Sequence, residues 1–183
     1  MTALSNINPV TEERAMNAQL EVPAVTEKTK AVAKSARKKI MLVDDDPAIR
    51  HILLRLLSEE DYFVLTAADG VEALELANAT KFDLVLLDLN MPIKDGWQTF
   101  EQLTTKDPTL PIIIITARPN QFFSALAAGV GALLEKPLDF TKLFQTIRNL
   151  LAETPEERLA RIAGQPSVFH YSSSMPFNRG QKG

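Results

Sequence analysis

Cysteine is absent from the 183-residue sequence. This absence excludes disulfide bonds, thiolate metal sites and cysteine nucleophiles, and it fits a reducing compartment. Strong charge of one sign is also lacking, because the formal net charge is only −3, which gives no support to general binding of nucleic acid or membrane surfaces. No apolar run approaches the roughly 18 residues of a membrane span, and the first residues lack the apolar segment of a secretory signal. We therefore expect a cytoplasmic chain with no membrane span and no direct contact with nucleic acid.

Hydrophobic residues make up 45% of the chain, which is enough for one full core. The composition divides the chain into residues 1–37, 38–153 and 154–183. The first part carries a basic stretch and is predicted to be a disordered extension, with a docking arm for an acidic partner as the alternative. The last part is predicted to contain a short helix, with Thr154 and Glu157 as a capping box, followed by an irregular tail. No internal repeat is visible, and no second globular domain is predicted.

The central part alternates short apolar runs with helical periods. The apolar runs occupy residues 40–43, 62–66, 84–87, 112–115 and 132–134. They are mostly continuous, which is typical of strands covered on both faces. Helices are predicted after Asp46, after Asp69, over about 96–105 and 119–128, and from Asp139 to about 152. This strict alternation predicts an α/β fold with a five-stranded parallel sheet in a (βα)5 arrangement, as a three-layer sandwich.

Polar side chains follow four of these runs. Asp44 and Asp45 follow the first run, Asp88 the third, Thr116 the fourth, and Lys136 comes shortly after the fifth. Because parallel strands end at the same edge of a sheet, we expect these side chains to lie together. Clustered carboxylates repel one another unless a cation lies among them, and their oxygens suit Mg²⁺. Carboxylates, Mg²⁺, a hydroxyl and an ammonium together are suited to a phosphoryl group.

One of these carboxylates is a candidate nucleophile, since an aspartate can form an acyl phosphate. Asp88 is the best placed, because its strand is expected to lie between the strand of the acidic pair and the strand of Thr116. Asp46, the third aspartate in the row, is instead predicted to cap the first helix, with Pro47 at the first helical position.

Four motifs carry a resemblance to a known family. They are, in chain order, LVDDDP, VLLDLNMP with DG at residues 95–96, IIIITA and EKP. Together they resemble the signature of the receiver domains of two-component response regulators (CheY-like), over about residues 39–153. The resemblance implies a flavodoxin-like sheet with the strand order 2-1-3-4-5.

The resemblance assigns roles to the acidic residues. By this resemblance Asp88 is the phosphoacceptor, and Mg²⁺ is the cofactor. Asp45 would bind the ion directly and Asp44 mainly through water. Asp88 itself and the backbone carbonyl of Asn90 would complete the ligands from the protein.

The resemblance also concerns the fourth and fifth strands. Thr116 and Lys136 would contact the phosphoryl group, and the peptide bond between Lys136 and Pro137 is expected to be cis. Members of the family often carry Tyr or Phe three residues before this lysine, where this sequence has Leu133. This departure puts the usual coupling between the threonine and an aromatic side chain in doubt, but not phosphorylation itself.

The resemblance further implies the partners. A histidine kinase or phosphotransfer protein would donate the phosphoryl group, and the chain would be a switch and not an enzyme, with at most self-catalysed phosphotransfer and autodephosphorylation. No output domain is recognised in residues 154–183, so the signal is expected to reach a downstream effector protein through the fourth helix, fifth strand and fifth helix. Phe122 and Phe123 are adjacent, so the outward one is a candidate for that surface or for a homodimer.

Two other functions stay open. A Mg²⁺-dependent phosphatase with an aspartyl nucleophile shares this chemistry, but it needs a second acid two residues after the nucleophile, where the sequence has Asn90. A binding module that is no longer phosphorylated is disfavoured by the complete set of polar residues, although Leu133 leaves it open. Asn90 and Arg118 flank the site and are candidates for setting the lifetime of the phosphoryl adduct.

Three further residues, one tryptophan and two histidines, belong to types that often bind ligands or metals. Trp97 follows Gly96 near the site and is predicted to pack at the rim of the core instead of stacking on a ligand. His51 and His170 are isolated from other ligand residues, so neither is predicted to bind metal or to carry a phosphoryl group.

Overall fold

The structure is a computed structural model, and it describes residues 37–91, 95–165 and 169–173. The elements within these ranges are, in chain order, β1 (Lys39–Val43), α1 (Pro47–Glu59), β2 (Phe63–Ala67), α2 (Gly70–Ala79), β3 (Leu84–Asp88), α3 (Gly96–Lys106), β4 (Ile112–Thr116), α4 (Phe122–Ala127), β5 (Ala132–Glu135), α5 (Phe140–Leu151), α6 (Pro155–Ile162) and β6 (His170–Ser172). The strands form one sheet in the order β2-β1-β3-β4-β5-β6, with every neighbouring pair parallel. The predictions for residues 1–36 lie outside the described ranges.

Helices cover both faces of the sheet. On one face, Leu103 of α3 and Ala125 of α4 pack with strand residues such as Leu87. On the other face, Leu57 of α1 and Ile147 of α5 pack with the alternate strand residues. Both faces are therefore apolar, which explains the continuous apolar runs. The α/β sandwich and the order of the first five strands are confirmed, and the sheet has one strand more than predicted.

The N-termini of α1, α2 and α5 are capped by aspartate side chains, and the predicted cap Asp46 is one of them. The Asp46 carboxylate accepts hydrogen bonds from the backbone N–H groups of Ala48 at 2.8 Å and Ile49 at 3.4 Å. Asp69 caps α2 and Asp139 caps α5 in the same way. These caps satisfy backbone donors that have no partner within the helix. The predicted starts of the first, second and fifth helices are therefore confirmed.

The fourth helix is shorter than predicted. The sequence predicts a helix over about 119–128, but α4 comprises only Phe122–Ala127. Asn120 has φ of 59°, a left-handed conformation that interrupts a right-handed helix. The segment before α4 is consequently a loop.

The predicted irregular tail is wrong for residues 170–172. These residues form β6, which pairs with β5 in the register Ala132↔His170 and Leu134↔Ser172. The strand has only three residues and lacks an apolar run, so it carries little sequence signal. It forms because β5 would otherwise be an edge strand with unpaired backbone groups.

The helix α6 is attached to the domain by a buried ion pair. Its capping box between Thr154 and Glu157 is present, as predicted. The Arg161 side chain is only 3% exposed, and its Nε donates to both carboxylate oxygens of Glu153, at 2.9 and 3.2 Å. The division of the chain at residue 153 stays a prediction. None of the helices in the described part of the chain combines the length and apolar character required to cross a lipid bilayer.

Candidate functional site

Acidic side chains gather at the carboxyl edge of the sheet. Asp44 and Asp45 follow β1, and Asp88 is the last residue of the neighbouring strand β3. One carboxylate oxygen from each of the three lies within 4.8 Å of the others. Asp44 and Asp88 are each only 2% exposed, whereas Asp45 is exposed. The parallel register therefore brings together the three aspartates that the sequence singles out.

Lys136 enters this cluster from the loop after β5. Its Nζ donates to Asp88 Oδ2 at 2.7 Å and to Asp44 Oδ2 at 3.0 Å. Burial on its own would lower the pKa of Lys136, but the hydrogen bonds with Asp88 and Asp44 outweigh it, so the pKa is raised. The lysine is thus held in its charged form between two buried carboxylates. The peptide bond between Lys136 and Pro137 is cis, as predicted.

One ammonium does not compensate the negative charge of this cluster. Burial raises the pKa of Asp44, and this effect exceeds the opposing hydrogen bond from Lys136. Asp44 also shares the ammonium with Asp88, and the negative charge of Asp88 adds a small further increase to the pKa of Asp44. Among the described residues, none forms a hydrogen bond or ion pair with the Asp45 carboxylate. Three clustered carboxylates with one partly shared cation fit a hard divalent ion such as Mg²⁺, which accepts carboxylate oxygens.

The end of β3 is held in place by the segment that follows it. The backbone N–H of Asn90 donates to Asp88 Oδ1 at 2.9 Å, so both oxygens of Asp88 accept hydrogen bonds. Gly96 begins α3 against the same strand end, where a Cβ atom would lie 2.5 Å from the backbone oxygen of Asp88. A side chain at position 96 would therefore displace either α3 or the strand that carries Asp88.

Thr116 ends β4 and is fully buried. Its backbone oxygen accepts the N–H of Lys136 at 2.9 Å, which connects the ends of β4 and β5. Its hydroxyl accepts the backbone N–H of Arg118 at 2.9 Å. The hydroxyl therefore lies at the base of the loop that leads to α4, at the end of the strand that neighbours β3.

Arg118 links the two loops that border the site. Its Nε donates to Asn90 Oδ1 at 2.6 Å, and one terminal nitrogen forms an ion pair with Asp95 at 3.1 Å. The sequence indicates Asn90 and Arg118 as flanking residues, but it does not indicate the ion pair between Arg118 and Asp95. A second unpredicted contact is Arg50, which donates to the backbone oxygen of Asp44 at 2.6 Å. Both arginines come from loops or helix starts near the site, and only the tertiary structure selects their partners.

The remaining residues of interest lie at the rim or outside the site. Trp97 packs edge-to-face with Phe100 and donates through Nε1 to Gln121 Oε1 at 3.0 Å. The prediction of rim packing for Trp97 is therefore confirmed. His51 is exposed on α1, and His170 lies in β6. Neither histidine belongs to a metal-binding cluster in the described ranges.

Comparison with known proteins agrees with this geometry. The model of the response regulator receiver domain family matches residues 40–148. Response regulator MprA of Mycobacterium sp. (strain KMS) is 41% identical over 122 residues, which cover 65% of this chain and 53% of that protein. Transcriptional regulatory protein GlrR of Escherichia coli (strain K12) is 38% identical over 117 residues, covering 63% of this chain and 26% of that protein. The chain thus spans about a quarter to a half of the length of these relatives.

Solved structures show the same similarity over almost their whole length. A receiver domain protein (CheY-like) from Methanospirillum hungatei JF-1 is 30% identical with a TM-score of 0.61, over 67% of this chain and 97% of that one. Response regulator TrrA from Thermotoga maritima, solved in complex with Mg²⁺-BeF, is 32% identical with a TM-score of 0.58, over 62% of this chain and 98% of that one.

Proposed function

The chain belongs to the response regulator receiver domain family, and from this we propose that it is a phosphoacceptor switch of a two-component or phosphorelay signalling system. The phosphoryl group comes from a histidine kinase or a phosphotransfer protein and is accepted by Asp88. The observation that carries the proposal is the contact of Lys136 Nζ with Asp88 at 2.7 Å and with Asp44 at 3.0 Å. This geometry combines a buried carboxylate with a cation beside it.

The proposed reaction is a transfer from nitrogen to oxygen. A carboxylate oxygen of Asp88 forms a bond to phosphorus while the phosphorus–nitrogen bond of the phosphohistidine breaks, and the imidazole keeps the electron pair and takes up a proton. Among the described residues, Lys136 is the cation that already donates to Asp88, so it lies beside the new phosphoryl oxygens. Thr116 supplies a hydroxyl donor at the end of the next strand, β4. The chain acts as a switch, with at most self-catalysed phosphotransfer and autodephosphorylation.

Mg²⁺ is the proposed cofactor. Asp45 and Asp88 would hold the ion directly, Asp44 mainly through water, and the backbone carbonyl of Asn90 would complete the protein ligands. When bound, the ion offsets the carboxylate charge and neutralises charge on the phosphoryl oxygens. The three clustered carboxylates support this assignment, as does the Mg²⁺-BeF complex of the similar regulator TrrA.

The proposed output is contact with a downstream effector protein through α4, β5 and α5, in the cytoplasm. Three of the exposed large apolar side chains lie on or next to these elements and support this face: Phe123 of α4, Phe140 of α5 and Tyr171 of β6. Exposed apolar groups can mark interaction surfaces. A homodimer through the same face is the second proposed partner.

Intact-mass measurement after incubation with Mg²⁺ and a small acyl phosphate tests this function. We expect a labile adduct of one phosphoryl group, which is absent from the Asp88→Asn variant. The matched control is Asp46→Asn, because asparagine also caps helices and Asp46 contributes the cap of α1; this variant keeps the adduct. Absence of any adduct would favour a binding module, and repeated turnover of phosphate esters would favour a phosphatase.

A further inference from the structure

The outer edge of β5 holds a segment from the C-terminal part of the chain. We call residues Phe169–Ser173 the β6 segment. It runs parallel to β5, with Tyr171 opposite Leu133. Because facing residues of paired strands point to the same side of a sheet, Tyr171 lies on the side of α4. The β6 segment therefore covers part of the face that is proposed to receive the effector.

Phe122 is the shared apolar contact of this segment. Its ring lies edge-to-face with Tyr171 at 5.1 Å and with Phe169 at 5.5 Å between ring centroids. Two aromatic side chains at alternate positions of an extended segment thus enclose one ring of α4. Phe123, the next residue, contacts the Phe122 ring but is 79% exposed. The two phenylalanines of α4 consequently differ sharply in their contact with the β6 segment.

Glu135 supplies the polar part of the same surface. One of its oxygens accepts the Tyr171 hydroxyl at 2.8 Å, and the other accepts the Ser173 hydroxyl at 2.9 Å. We define the acceptor surface as the edge of β5, Phe122 and Glu135. This surface recognises backbone by strand pairing, aromatic rings through Phe122 and hydroxyl groups through Glu135. Such a combination is typical of proteins that bind peptides by adding a strand to a sheet.

The β6 segment is held much less firmly than the strand it covers. Ala132, Leu133 and Leu134 of β5 are fully buried. In contrast, Tyr171 is 44% exposed, and His170 and Ser172 are only partly buried. A three-residue edge strand with exposed side chains opens locally at a small free-energy cost. Phe169 is the residue of the β6 segment that packs against the core, and β5 itself is buried far more completely.

We propose that the acceptor surface is a peptide-binding surface and that the β6 segment is its resident, displaceable ligand. The external partner is an extended segment of another protein that carries aromatic residues two positions apart, followed by a hydroxyl residue. It pairs with β5 after it displaces the β6 segment. This inference rests on the proposed partner face, but it is independent of phosphorylation on Asp88.

Competition within the full-length chain tests this inference. The probe is a fluorescent peptide with the sequence of residues 166–175, PSVFHYSSSM, and binding is measured by anisotropy without any phosphodonor. A tethered segment acts at an effective concentration of about 1 mM, so the wild-type chain binds the probe weakly. Phe169→Ala combined with Tyr171→Ala removes the resident aromatic contacts, and we expect this variant to bind at least about tenfold more tightly.

Variants of the acceptor surface provide the controls. Phe122→Ala, added to the double variant, abolishes binding of the probe, whereas Phe123→Ala in the same background retains it. A probe with alanine in place of both aromatic residues does not bind. Thermal unfolding establishes that each variant is folded. Hydrogen exchange can be measured on the wild-type chain. We expect the backbone amides that pair β5 with β6 to exchange faster than those that pair β3 with β4.

Four outcomes would overturn the inference. They are equal binding of the probe to the wild-type chain and the double variant, no binding to either, binding that survives Phe122→Ala, and exchange between β5 and β6 as slow as in the central strands. Sedimentation identifies a different occupant: self-association of the wild-type chain that Phe122→Ala abolishes would assign the surface to a second copy of this chain. Phosphorylation of Asp88 is measured separately by mass, so failure of either proposal is recognised without the other.

Discussion

Replacing Arg161 by methionine is expected to destabilise the attachment of α6 severely. The Arg161 guanidinium is nearly fully buried and binds Glu153, whose side chain is 7% exposed. It also donates to the backbone oxygens of Gly129 at 3.2 Å and Thr109 at 3.4 Å. The substitution therefore leaves a buried carboxylate and two backbone acceptors without this partner. Removal of one member of a buried ion pair costs about 3–5 kcal/mol.

The neighbouring Arg158 reduces this cost. Its Nε lies 3.8 Å from a Glu153 oxygen, so part of the carboxylate charge stays compensated in the variant. We therefore expect the lower end of the range, about 3 kcal/mol, for Arg161→Met. For a chain of this size, this corresponds to a decrease of about 6–12 °C in Tm. Replacing both residues, Arg161→Met with Glu153→Leu, removes the uncompensated charge as well and is expected to cost less than about 1.5 kcal/mol.

Urea unfolding followed by circular dichroism measures these differences, and hydrogen exchange of α6 shows whether the helix alone detaches. If α6 detaches alone, the free energy of unfolding of the whole domain falls by no more than the free energy that holds α6 in place. The α6 amides would then lose their protection from exchange. A loss of less than about 1 kcal/mol for Arg161→Met, together with unchanged protection of α6, would contradict the role of the buried ion pair. The same conclusion would follow if the loss of stability in the double variant equalled the sum of the losses in the two single variants.

Three further predictions concern charge and the exposed surface. Lys136→Met removes the ammonium that competes for Asp88, so Mg²⁺ should bind tighter by on the order of tenfold in titration calorimetry; unchanged or weaker binding would contradict this. Burial would raise the pKa of Asp83, but hydrogen bonds led by that from Lys38 outweigh it and lower the pKa. The wild-type chain should therefore exceed Asp83→Asn in Tm above pH 3.8, and the gap should close as the pH falls through the lowered pKa; a gap independent of pH would exclude this cause. Phe123→Lys should change the free energy of unfolding by less than about 0.5 kcal/mol while weakening effector binding or self-association, measured by sedimentation, and unchanged association would remove Phe123 from the partner face.

Local patterns were sufficient for most of the elements of this domain. A carboxylate just before a helical period can accept the first backbone N–H groups of that helix, and Asp46, Asp69 and Asp139 do so at predicted helix starts, whereas Asp95 before α3 does not. Continuous apolar runs require burial on both faces, so the parallel sheet followed from the sequence as well. The shared edge of such a sheet then brought Asp44, Asp45 and Asp88 together.

Features that depend on contacts between distant residues were decided only by the tertiary structure. The strand β6 has no apolar pattern of its own, and it exists because β5 offers an unpaired edge and Phe122 offers a ring. The contacts of Arg118 with Asn90 and Asp95 join residues that are more than twenty positions apart. Local sequence does not determine such partners, since the chain contains many carboxylates with which an arginine could pair. Only the fold determines which of them lies next to it. Residue types and spacing thus determined the chemistry of the carboxyl edge, and packing determined which surfaces surround it.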